Sequence, residues 1–316
     1  MRKTGFLYDD RYLLHDTGKY HPEVPARLKA LKKGIEEAGL MKDLVHLKAV
    51  PADMKWIEIV HSPDYIEEFK SVCSSGASQF MAADNQMCSL SYEVAVLAVG
   101  GVLDAVRRVM TGELENAFCA IRPPGHHAEV NKAMGFCYFN NIAIAAQYLL
   151  MQWGLQRVGI IDFDVHHGNG TQRIFEQEPG VFYYSVHEHP TFAFPGTGRD
   201  FERGSGSGYG YTKNSPALPG NGDEEYVGYF ERDLIPAFDN FMPEFILLST
   251  GFDAHKDDDM ADMELTTEGY ARLMRMIMEM ADRYCGGKVV SVLEGGYCLE
   301  RLPELGADHV RILLNP

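Results

Sequence analysis

No two of the six cysteines (Cys73, Cys88, Cys119, Cys137, Cys285, Cys298) are spaced C-x-x-C, so neither a Cys-rich zinc site nor a thiol redox pair is signalled. Positive charge is scarce. The 29 Lys and Arg face 45 Asp and Glu, a net charge of -16, which leaves no basic footprint for a nucleic acid. An acidic surface attracts cations instead, Lys-rich peptides and polyamines among them. No run of about 18 uncharged apolar residues occurs, so no membrane span is read. The first ten residues, Met1 to Asp10, lack the apolar region of a signal peptide. Together these absences predict a soluble, cytoplasmic protein in a reducing compartment. No repeat with a period of about 20–50 residues is visible. No Gly-x-Ser-x-Gly elbow supports a serine nucleophile. The Gly/Ser-rich stretch Gly196–Tyr211 lacks the Gly-Lys-Ser/Thr of a phosphate loop and is read as an ordered loop.

What is present is an alternation of apolar runs and amphipathic segments. Strands are predicted at Thr4–Tyr8, Ala117–Ile121, Arg157–Phe163, Val181–Val186, Glu244–Ser249 and Lys288–Leu293. Several are continuously apolar, as strands buried on both faces of a parallel sheet are. Helices are predicted over Ser91–Met110, Asn140–Gln152, Asp223–Phe238 and Thr266–Tyr284, the last with a Thr cap. Its Met274, Met276, Met278 and Met280 read as core filler. The pattern predicts βαβ units in a doubly wound sheet.

Polar motifs follow these strands, at the edge where open α/β sheets bind ligands. They are Pro123-Pro-Gly-His126-His127, Asp162-Phe-Asp164-Val-His166-His167-Gly-Asn169, His187-Glu-His189, Gly251-Phe-Asp253-Ala-His255 and Glu294-Gly-Gly-Tyr297. If the chain stays extended, Asp162, Asp164 and His166 share one face. Asp164 and His166 could then hold one metal, with Asp253 arriving from another strand and a position left open, as catalytic zinc requires. Fe²⁺ accepts the same donors. A ring of the His126-His127 pair could move protons, given an orienting acceptor on its far nitrogen; Asp162 and Asn169 are the candidates. Tyr297 could hold an oxyanion.

Taken with His21-Pro-Glu-Val-Pro-Ala-Arg27, Val60-His-Ser-Pro-Asp-Tyr65, Gly135-Phe-Cys-Tyr-Phe-Asn-Asn141 and Phe194-Pro-Gly-Thr-Gly198, these motifs resemble the arginase/deacetylase superfamily. Within it they are similar to zinc-dependent histone deacetylases and, through Asn169, to the class II-like bacterial deacetylases and acetylpolyamine amidohydrolases. The resemblance runs along nearly the whole chain and implies one deacetylase domain over residues 1–316. That domain would be a three-layer α/β/α sandwich on a largely parallel eight-stranded sheet. The implied activity is zinc-dependent removal of acetyl or other acyl groups from N-acylated lysine or related primary amines, with acetylpolyamines as the alternative substrate. The reaction would use metal-activated water.

By the same resemblance Asp164, His166 and Asp253 become zinc ligands, His127 the general base and acid, His126 its electrostatic partner and Tyr297 the oxyanion donor. Gly135, Phe136 and Phe194 would line a narrow tunnel, and Arg27 an internal channel. Met260 stands where some polyamine-selective relatives carry a Glu, and Asp84 where relatives grip the substrate backbone. A structural K⁺ would be held by Asp162, Ser185 and the backbone oxygens of Asp164, His166 and Val186. A second cation would use backbone oxygens near Phe175, Glu178, Val181 and Tyr211.

Overall fold

The computed structural model describes residues 1–316. It contains one sheet of eight strands: β1 (Thr4–Leu7), β2 (Val45–Leu47), β3 (Asn116–Cys119), β4 (Val158–Asp162), β5 (Val181–Glu188), β6 (Thr212–Ala217), β7 (Phe245–Thr250) and β8 (Val289–Leu293). Their order is β2-β1-β3-β8-β7-β4-β5-β6, and every pairing is parallel. The sequence reading of a largely parallel sheet therefore becomes an all-parallel one. It misses β2 and β6, the two edges. An edge strand is not apolar on both faces: β2 is three residues with an exposed His46. In β6 the run Lys213-Asn-Ser-Pro216 includes a proline, which a sheet tolerates at its margin.

Helices cover both faces. Ser91–Met110 packs on β1, β3 and β8, and Asn141–Trp153 on β4 and β7. Opposite them, Leu302–Leu314 meets β3 and Thr267–Cys285 meets β7, with Ala26–Glu37 against Leu302–Leu314. The starts are fixed by caps: Asn140 accepts from Ala143 N at 3.0 Å and Thr266 from Gly269 N at 3.1 Å. The helix expected over Asp223–Phe238 is two α segments, Asp223–Tyr229 and Ile235–Phe241, joined through a π turn at Phe230–Leu234. Met274, Met278 and Met280 are buried as core filler, while Met276 is only half-buried. Gly196–Tyr211 is a loop with one short 3-10 turn, tied down by Ser205 N to Glu176 O at 2.7 Å and Ser207 Oγ to Gln177 O at 2.6 Å. No helix is long and apolar enough to cross a membrane.

The sheet order explains why distant motifs meet. β3, β8, β7 and β4 are neighbours, and their C-terminal ends deliver the segments after Cys119, Leu293, Thr250 and Asp162 to one edge. Behind that edge lies a buried ion cluster. Glu23 accepts from Arg122 Nε and, at 2.6 Å, from Arg122 Nη2; it also accepts from Arg27 Nη1 at 3.0 Å. Arg122 opens the loop to His127, and also donates to the backbone oxygens of Tyr12, His15 and Glu23. Arg27 donates to Glu294 O and Gly296 O, both at 2.6 Å. One carboxylate thus holds two cations that brace two site loops.

Burial would raise Glu23, but Arg122 and Arg27 outweigh it and hold the carboxyl down at about 2. Its stabilising effect is therefore complete above the ordinary glutamate range and is lost as pH falls through about 2. Glu23→Gln strands two buried guanidinium groups. The expected loss is about 3–5 kcal/mol of unfolding free energy at neutral pH, read by urea denaturation. The gap between wild type and variant should narrow as pH falls below the glutamate range.

Candidate metal centre and active site

β4 ends at Asp162, and the chain then bends. This corrects the expectation that extended chain puts Asp162, Asp164 and His166 on one face. Asp162 Oδ1 accepts from Asp164 N at 3.2 Å, and Asp164 Oδ1 from His166 N at 2.9 Å, so each carboxylate folds the next step of the turn. Asp162 turns its other oxygen to His126 and Tyr183, while Asp164 and His166 face Asp253 at the end of β7.

Asp164, His166 and Asp253 are buried, with one donor atom of each within 4.8 Å of the others. His166 Nδ1 lies 3.2 Å from Asp164 Oδ1 and 3.3 Å from Asp253 Oδ2. Asp253 Oδ2 nevertheless has no hydrogen-bond partner, an orphaned buried anion of the kind a cation satisfies. Burial and the Asp164 carboxylate push Asp253 up; His166 is pushed up to about 10, because the two carboxylates outweigh the burial that lowers it. A divalent cation seated here would take the place of the His166 proton and quench both carboxylates. The backbone is shaped to the cluster: Gly295 N donates to Asp164 Oδ2 at 2.8 Å, and a Cβ at Gly295 would come within 2.0 Å of Asp253 Oδ2. The three residues fit a single metal ion.

Above the cluster is a cavity of about 210 Å³ lined by Asp84, Pro124, His126, His127, Gly135, Phe136, His166, Phe194, Met260, Gly295 and Tyr297. Every residue expected at the substrate tunnel is therefore brought together. Phe194 stands edge-on to His127, ring centres 5.0 Å apart, and Phe136 edge-on to Tyr297 at 6.0 Å. Phe136 adopts a left-handed φ of 68°, held by Asn85 Oδ1 accepting from its N at 2.8 Å. Gly135 must be glycine: a Cβ would lie 2.2 Å from His127 Cδ2. Asp84 Oδ2 accepts from Gly135 N at 3.0 Å, so this carboxylate shapes the cavity as well as lining it.

The paired histidines are oriented differently. His126 Nδ1 meets Asp162 Oδ2 at 3.1 Å, and its Nε2 lies 3.8 Å from Asp164 Oδ1. Burial lowers His126, but Asp162 and Asp164 overcome it and push the ring up to about 10; a cation on Asp164 would counter part of that. His127 Nδ1 meets Asn169 Oδ1 at 2.8 Å. Burial and then the neighbouring His126 drive His127 well down, so at neutral pH it is a neutral ring able to accept a proton. Burial pushes the Tyr297 phenol well up, which keeps it a donor. The Arg27 guanidinium lies 4.8 Å from the centre of the Tyr297 ring.

The residues expected around K⁺ are also adjacent: Asp162 and Ser185 are register partners on β4 and β5, followed by Val186. Ser185 Oγ bonds His187 Nδ1 at 2.7 Å, and His187 Nε2 bonds Gly198 O at 2.8 Å, so His187 props the Phe194–Gly198 loop, and no residue of the His187-Glu-His189 motif lines the cavity. Phe175, Glu178, Val181 and Tyr211 cluster where the chain enters β5: Glu178 N donates to Phe175 O at 3.0 Å and Tyr183 N to Tyr211 O at 2.9 Å.

Two buried acids escaped the sequence reading. Glu294 Oε2 accepts from Gly125 N at 2.7 Å and His126 N at 3.2 Å, and burial pushes it up to about 7. It sits in a motif already singled out, but only β3 lying beside β8 discloses its partners. Asp258 Oδ2 accepts from Tyr297 N at 2.6 Å and Cys298 N at 2.8 Å, and burial raises it to about 6. Nothing in Lys256-Asp-Asp-Asp-Met260 tells which Asp turns inward.

Residues 21–313 match the family model of the histone deacetylase domain. The chain is 39% identical over 299 residues to a probable deacetylase of Archaeoglobus fulgidus, covering 94% of this chain and 82% of that protein. It is 36% identical over 312 residues to the polyamine deacetylase HDAC10 of Homo sapiens, covering 96% of this chain and 46% of that protein. It spans about half the length of several such relatives. The crystal structure of the HDA15 HD domain superposes with a TM-score of 0.93 at 36% identity, over 99% of this chain and 88% of that one. With the all-parallel α/β sandwich and the cavity above three converging side chains able to hold a metal, these matches place the chain in the histone deacetylase family of the arginase/deacetylase superfamily.

Proposed function

We propose that residues 1–316 form a single deacetylase domain that hydrolyses the amide of N-acylated primary amines with one divalent ion, zinc or Fe²⁺, on Asp164, His166 and Asp253. The observation that carries this reading is the orphaned Asp253 Oδ2 among those donors, directly beneath a cavity lined by His127 and Tyr297. When bound, the ion supplies Lewis-acid polarisation of the amide carbonyl and of water. Phe136 and Phe194 grip the methylene chain of the amine and exclude bulk water. Tyr297 donates its hydroxyl proton in a hydrogen bond to the carbonyl oxygen as that oxygen gains charge. His127, with Nδ1 engaged by Asn169, presents Nε2; it takes a proton from the attacking water there and returns it to the leaving nitrogen. His126, held on Asp162, keeps positive charge beside the developing anion. Asp162, Ser185 and the backbone of Asp164, His166 and Val186 would hold K⁺ behind the site and stiffen the turn that carries two of the ligands.

The amine is an acetyl-lysine peptide in the first reading. Asp84 on the cavity wall suits either a peptide N–H or a polyamine nitrogen, and Met260 adds no charge against a peptide. Comparing kcat/KM on acetyl-lysine peptides and on acetylputrescine with zinc-reconstituted protein decides the substrate class; a preference for acetylputrescine would replace the first reading.

Tyr297→Phe is expected to lower kcat by about 10²–10³-fold, measured on the best acyl-amine of that panel. Near wild-type turnover would remove Tyr297 from the oxyanion role. Asp253→Ala should bind far less than one zinc per chain by elemental analysis, against about one in the wild type, since it deletes one of three protein ligands. Undiminished zinc in the variant would reject the metal site.

A further inference from the structure

Asn169 poses a problem that an aspartate would not. A carboxylate offers an oxygen to His127 whichever way it turns, whereas an amide has one accepting and one donating end. With Oδ1 toward His127 Nδ1, the ring carries its proton on Nδ1 and leaves Nε2 free to accept one. Turned by half a revolution, the amide would donate to Nδ1, the ring proton would sit on Nε2, and the base would be blocked. A histidine base held in the wrong tautomer loses most of its activity.

The surroundings of Asn169 settle its rotation. Its Nδ2 lies 3.0 Å from Glu129 Oε1, 3.4 Å from Met134 Sδ and 3.5 Å from His127 O. All three are acceptors. The reversed amide would press Oδ1 against the Glu129 carboxylate, oxygen against oxygen. Of the three, only Glu129 carries charge, and charge-assisted hydrogen bonds are the stronger ones. Glu129 is half-buried and lines, with Asn169, Gln172 and Arg173, a separate polar cavity of about 510 Å³, whereas His127 faces the substrate cavity. Glu129 therefore reaches the reaction only through Asn169.

We propose that Glu129 is a positioning residue that fixes the amide rotation of Asn169 and, through it, the Nδ1-protonated tautomer of His127. The inference rests on His127 as the base proposed above. The relay is Glu129 Oε1, Asn169 Nδ2 and Oδ1, then His127 Nδ1, each step with the donor facing an acceptor.

Long-range ¹⁵N–¹H spectra of the zinc-reconstituted protein read the tautomer directly, with the His127 signals assigned by their loss in His127→Ala. The wild type should show Nδ1–H. In Glu129→Ala the Nε2–H form should appear, and kcat should fall by about 10–100-fold, the usual cost of losing such a supporting partner, with KM little changed. Glu129→Gln, whose carbonyl can still face Nδ2, should recover most of the rate and the wild-type tautomer. In an Asn169→Asp background, where no amide needs orienting, adding Glu129→Ala should cause no further loss. A wild-type tautomer and rate in Glu129→Ala would overturn the proposal. So would equal losses in the Ala and Gln variants with Nδ1–H intact. A wild type without turnover on any acyl-amine would count against the proposed function instead, and the tautomer spectra would still decide this inference.

Discussion

Asp164 and Asp253 lie buried side by side at the ends of β4 and β7, with no solvent to screen one from the other. Asp162 and Glu294 add two more buried carboxylates close by. Each would be costly alone. The surrounding architecture can be understood as the response to that crowding. Backbone N–H groups of Gly125, His126, Asp164, Val165, His166 and Gly295 all donate into these four side chains. Those bonds fix the loops, and the loops fix the cavity. What the N–H groups leave unmet is concentrated on Asp253 Oδ2, the atom on which the proposed cation site depends.

A second charge arrangement serves the same loops from behind. Arg122 and Arg27 converge on Glu23, and each spends its remaining donors on carbonyl oxygens. The floor is braced by anions accepting from N–H groups and the rear by cations donating to C=O groups. Both halves of the backbone's polarity are satisfied without a regular element, which is how irregular chain can remain buried.

Much of this was legible in the sequence because parallel strands are apolar on both faces and stop where polar residues begin. Val158–Ile161 and Phe245–Leu248 announce central strands, and the motifs beyond them announce the site. The edges were not legible, since β2 and β6 carry His46, Lys213 and Pro216 in place of an apolar run. Nor was the geometry of Asp162-Phe-Asp164-Val-His166: alternation along a strand predicts one shared face, but the side chains bond to the backbone two residues on and fold the run into a turn. Glu294 and Asp258 were hidden for a different reason. Their partners come from other strands or another loop, and only the order β3-β8-β7-β4 makes those neighbours. Local chemistry is written locally; adjacency is not.

The carboxylate of Asp258 joins the loop bearing Met260 to the backbone of Tyr297. The lip of the cavity at Met260 and the phenol of Tyr297 deep inside it are thereby mechanically geared together. A lineage that reshapes this mouth by insertion or substitution must carry the phenol along with it, so a change at the rim is transmitted to the position of the Tyr297 hydroxyl.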